Sequence, residues 1–215
     1  MIALCREHHD KADAGAYTHD DLRAMKAEGR DRNLPLQASF DWRRHRLLTV
    51  VGGNFYYETP VPVQLREQPV VAINRDDEGL LLLNVAMPSA VREPRLQVED
   101  NFWMEAGNAT QLESPPNGRL LSASYPNGDA IRIEFFELKS GDALDSRYTH
   151  SGAVRNFLEN GEPEGFPVTA VEVQIRIVSP DGQPLIDFDA NETRMGTNRM
   201  MGNLAVRCRT GLLIT

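Results

Sequence analysis

The chain has 215 residues, 41% of them hydrophobic and 25% charged, and a net charge of −8. This ordinary globular composition contains no apolar run near the ~20 residues that cross a bilayer, and its charged, histidine-rich start is not a secretory signal. Two cysteines at opposite ends, Cys5 and Cys208, exclude a disulfide framework. A cytoplasmic protein with no membrane partner is expected, with Cys208 packed in a core strand.

Charge is unevenly spread. Residues 1–46 hold 9 Lys/Arg and 8 Asp/Glu, whereas the rest holds 14 and 23. An acidic body repels phosphate backbones, so DNA would be met by the N-terminal segment. Arg43, Arg44 and Arg46, with His45 between them, are its candidate nucleic-acid contacts. The same cluster also reads as a solvated strand edge.

Residues 1–36 read as helical. Cys5, His8, His9 and Ala12 fall at i, i+3, i+4 and i+7, one face of a helix that Gly15 would stop. A second helix follows, with Thr18 as cap, Asp20 and Asp21 at its positive end, and a Tyr17–Leu22 staple. Gly29 ends it, and the stretch to Gln37 is a linker.

From Phe40 onward the apolar period becomes 2. Ile131, Ile133 and Phe135 alternate with Arg132 and Glu134; Val171, Val173, Ile175 and Ile177 alternate with Glu172, Gln174 and Arg176. That pattern predicts half-buried strands with one wet face. Turn signals recur at Asp76–Gly79, Pro126–Gly128, Ser140–Asp142 and Pro180–Gly182. About ten to twelve short strands are expected, with one short helix near Gly152–Leu158. Residues 37–215 are therefore expected to form an antiparallel β-sandwich or barrel-like domain. The turn-rich string Gly196–Asn203 leaves a β-solenoid as the rival.

Other clusters read blandly. Asp76-Asp77-Glu78 is a turn, and Asp187 with Asp189 is a solvated face that could chelate. Gly52-Gly53-Asn54 is a turn or bulge, or a backbone nest for an anion. Asn101-Phe102-Trp103 could present an aromatic binding surface, but core packing of Phe102 or Trp103 is expected.

The run Ile2-Ala3-Leu4-Cys5-Arg6-Glu7-His8-His9, with Tyr17 and Leu22-x-x-Met25-Lys26 behind it, resembles the later half of an HNH endonuclease metal finger. The resemblance covers about 30 residues. It implies that His9 ligates a catalytic divalent ion, Mg or Zn, and that Cys5 and His8 form half of a structural zinc site. The family's general-base histidine has no counterpart here, and its asparagine would precede Met1. Hydrolysis needs both the ion and a positioned base, so an HNH-type endonuclease that is incomplete and inactive by itself is expected. The alternative is a non-catalytic β-rich binding module for a protein, glycan or nucleic acid.

Overall fold

The computed structural model describes residues 36–39, 46–115 and 118–215. Cys5, His8 and His9, the expected N-terminal helices, and Arg43 and Arg44 lie outside the described residues. Gln37 to Thr215 form one unit.

Two β-sheets make up this unit, and neither closes into a barrel. The seven-stranded sheet contains β1 (Leu36–Ser39), β4 (Val61–Leu65), β5 (Gln68–Arg75), β6 (Leu81–Ala86), β7 (Gln97–Glu99), β8 (Phe102–Glu105) and β17 (Thr210–Ile214), in the spatial order β1-β8-β7-β6-β5-β4-β17. The ten-stranded sheet contains β2 (Leu48–Val51), β3 (Asn54–Tyr57), β9 (Gln111–Glu113), β10 (Leu120–Ser124), β11 (Ala130–Leu138), β12 (Val168–Val178), β13 (Pro184–Phe188), β14 (Thr193–Met195), β15 (Asn198–Met200) and β16 (Leu204–Val206). Its main path, β15-β14-β13-β12-β11-β10-β9, branches at the long strand β12. One half of β12 pairs with β13, while Ala170–Val173 pair in parallel with β2.

The alternating apolar residues meet between the sheets. Val71, Leu83, Val85, Val98 and Trp103 from one sheet share a core with Leu121, Ile131, Ile133, Phe135, Val171, Val173 and Ile175 from the other. Each such side chain stabilises the fold by roughly 1.5–3 kcal/mol. Trp103 is thus the core residue, and its neighbour Phe102 is 44% exposed. A buried ion pair, Arg95–Asp129 at 2.9 Å, joins the loop before β7 to the β10–β11 turn. Asp129 also accepts the Val178 amide, and the Arg95 guanidinium lies over the Tyr125 ring.

A second core lies on the outer side of the larger sheet. Leu48, Val50, Phe55, Tyr57, Leu138 and Ala170 are covered there by Leu144, Tyr148, Val154 and Leu158. Leu144 belongs to α1 (Gly141–Arg147), which Tyr148 ends as its C-cap; Val154 belongs to α2 (Gly152–Asn156) and Leu158 to a π-helical turn, Phe157–Gly161. β2 is buried on both faces, which fits its nearly continuous apolar sequence Leu48-Thr49-Val50-Val51.

Several expectations change. The wet face of β12 is not wet throughout, because α1 covers Glu172, which is buried. Ser140-Gly141-Asp142, expected as a turn, begins α1: Ser140 caps it by accepting the Ala143 amide. Cys208 is exposed, since β16 ends at Val206 and the thiol lies in a bend before β17. Seventeen strands are found among the described residues, because three-residue strands carry too little periodicity to be recognised. The Gly196–Asn203 string forms no solenoid rung: β14 and β15 are a hairpin, β16 joins β3, and β17 joins β4 in the opposite sheet.

Candidate functional site

The ten-stranded sheet carries an open groove of about 500 Å³ beside the covering helices. Its floor is Gln174 of β12, one wall is the α1–α2 link at Thr149 and His150, and the other is the turn from Asp189 to Glu192 with Arg194. Met201 forms part of the rim.

Three turns set this geometry. Asp189 Oδ1 accepts the backbone amides of Asn191 and Glu192, which closes the wall turn. Asn191 Oδ1 in turn accepts both the amide and the hydroxyl of Thr149, tying the two walls together. Behind them, Gly52 and Gly53 form a tight turn between β2 and β3, both with positive φ. A Cβ on Gly53 would sit 1.9 Å from the Asn191 carbonyl oxygen, so only glycine lets the wall approach so closely. Asn54 is buried and donates to Thr193 Oγ1 and the Gly52 carbonyl, and its Oδ1 accepts from Asn203. Gly52-Gly53-Asn54 therefore acts as a structural turn.

The floor rests on a charged cluster. Glu134 and Glu172 are directly opposed across β11 and β12. Arg147, in the last turn of α1, donates to Glu134 at 2.8 Å and to Glu172 at 3.2 Å, with its guanidinium 3.7 Å from the Phe136 ring centroid. Tyr148 donates to Glu172 at 2.5 Å, and Gln174 donates to the other Glu172 oxygen. Burial pushes the Tyr148 phenol well above its ordinary range, and the Glu172 charge adds to the shift. Burial would raise the Glu134 carboxyl, but hydrogen bonds and charge from Arg147 and Arg132 outweigh it and lower the pKa. These groups are committed to one another, so the cluster is an anchor for α1 and for the groove floor.

The groups left for a ligand lie above this anchor. Glu192 and Asp189 both pair with Arg194. The His150 imidazole and the Asn191 amide nitrogen have no hydrogen-bond partner among the described residues.

Of the metal-ligating and nucleic-acid-binding residues expected in the N-terminal segment, only Arg46 is described. It donates to the carbonyl of Pro167 at 3.1 Å and pairs with Glu164 at 3.1 Å. A phosphate would have to compete with that carboxylate. Asp187 is half-buried in β13, and desolvation raises its pKa, with Arg176 opposing the shift. Asp189 is occupied by its turn, and no group of three metal-ligating side chains is found among the described residues. Sequence reasoning missed Arg147, Tyr148 and Asn191. The signal for the first two was the cap Ser140 with Leu144 and Tyr148 at i, i+4; Asn191 had none.

No family model, curated protein or solved structure matches the chain. No helix among the described residues is long and apolar enough to cross a membrane.

Proposed function

We propose that the two-sheet unit is a non-catalytic binding module that recognises a peptide segment of a protein partner in the groove beside His150. The observation that carries this reading is the division of labour in the groove. Its charged side chains are paired among themselves, whereas the His150 imidazole and the Asn191 amide nitrogen, on an anchored floor, have no hydrogen-bond partner among the described residues. Such donors and acceptors suit the alternating N–H and C=O groups of a peptide, and the thioether of Met201 supplies an adaptable apolar contact. The excess of Asp and Glu over Lys and Arg beyond residue 46 disfavours a polyphosphate ligand.

A peptide array probed with the full chain tests the proposal. Peptides that bind should lose roughly tenfold or more in affinity to a His150→Ala, Asn191→Ala variant, a loss of about 1.4 kcal/mol. Binding that is indifferent to both changes would contradict it.

A second reading, an HNH-type endonuclease, rests on Cys5, His8 and His9 in their family-like string. On that reading His9 holds Mg or Zn, and Arg43 and Arg44 meet DNA. The chain alone lacks the general base, so metal uptake is the readout: stoichiometric binding of Mg²⁺ or Zn²⁺ that His9→Ala abolishes would support it. No uptake, with unchanged thermal stability on metal addition, would count against it.

A further inference from the structure

We propose that the outer face of the seven-stranded sheet is a second site, which binds a neutral oligosaccharide. The groove beside His150 lies on the other sheet. Strand alternation turns Val71, Val85, Val98 and Trp103 inward, which leaves Ala72, Asn84, Ala86, Gln97, Glu99 and Phe102 on the opposite face. The register places them side by side: Ala72 opposes Asn84, Ala86 opposes Gln97, and Glu99 opposes Phe102. All but Phe102 line a trough of about 300 Å³, with Phe102 beside it next to Glu99.

The chemistry of this face is specific. The alanines keep its floor low. Asn84 is held in place by the β7–β8 turn, donating to Asp100 Oδ1 at 3.1 Å and accepting the Asp100 amide at 3.1 Å. Asn84, whose amide is engaged by Asp100 and Leu82, frames the trough, and the solvent-facing amide of Gln97 and the carboxylate of Glu99 are planar groups that take neighbouring hydroxyls in pairs. Phe102 is the one large aromatic side chain among the exposed hydrophobics of the described residues, at 44% exposure. The negative face of its ring suits the C–H face of a pyranose. No basic residue is among those lining the trough, and Glu99 and Asp100 repel anions, so a sulfated, uronic or phosphorylated ligand does not fit. Four strands at about 4.8 Å spacing span roughly 14 Å, which accommodates about three sugar rings.

Calorimetric titration of the full chain with cellohexaose, xylohexaose, mannohexaose, laminarihexaose and maltohexaose tests the site. At least one should bind, and Phe102→Ala and Gln97→Ala should each weaken it roughly tenfold. Both residues are exposed, so the melting temperature should stay within a few degrees of the parent. The His150→Ala, Asn191→Ala variant should bind the same sugar unchanged, which separates this site from the groove. Failure of all five sugars to bind, or binding that survives the Phe102→Ala, Gln97→Ala double variant, would overturn the proposal.

Discussion

Glu134 and Glu172 stand directly opposite each other on adjacent antiparallel strands, and one guanidinium, Arg147, binds both. Like charges in that position repel. Arg147 removes the repulsion and in doing so fixes the end of α1 on the sheet. The groove floor inherits its rigidity from this arrangement, because Gln174 donates to the same Glu172.

Arg147→Met should therefore be strongly destabilising, since it leaves the buried Glu172 without its counter-charge. A loss of about 3 kcal/mol is expected in urea denaturation. Adding Glu172→Gln should recover more than half of that loss, so the two changes will not be additive. Additive losses would mean that the pair is not coupled.

The same cluster sets an acid limb. Glu134 has a folded pKa below its ordinary value of 4.5. Its contribution is complete above that value and is lost as pH falls through the lower folded pKa. Glu134→Gln should thus flatten the fall in stability below about pH 4.5 and leave the slope near neutrality unchanged, as read by thermal melts across pH.

Gly53→Ala and Gly79→Ala separate close packing from backbone strain. Both glycines have positive φ. A Cβ on Gly79 meets nothing within 4 Å, whereas one on Gly53 meets the Asn191 carbonyl at 1.9 Å. The Gly79 variant should lose about 1 kcal/mol and the Gly53 variant at least twice that. Only the Gly53 variant should also weaken a groove ligand, because it moves Asn191.

Breaking the buried Arg95–Asp129 pair by Asp129→Ala should destabilise by about 3 kcal/mol, because Arg95 would keep only the half-exposed Glu93 as counter-charge and the Val178 amide would lose its acceptor. Denaturant titration reads this directly, and a loss below about 1 kcal/mol would show that the pair is dispensable.

The two-sheet architecture was legible because the long strands β11 and β12 alternate over Ile131–Phe135 and Val171–Ile177, long enough for a period of 2 to stand out. The helical cover was only half legible. Gly152–Leu158 could be read as helical, but α1 was hidden behind Ser140-Gly141-Asp142, which is equally good turn chemistry. The parallel pairings of β2, β3 and β4 with distant strands have no local signature. The groove was illegible for the same reason: His150, Gln174 and Asn191 are far apart in the chain and are brought together by β12 and the Gly52-Gly53 turn. Glu172 looked like a solvent-facing position because nothing in its own strand reveals the helix that buries it.

Mapping the bound peptide by amide NMR tests the account most directly. With a peptide from the array titrated into the labelled chain, the largest shifts should fall on Thr149, His150, Gln174 and the stretch from Asp189 to Arg194. Shifts confined to residues outside that set would contradict the placement of the recognition surface.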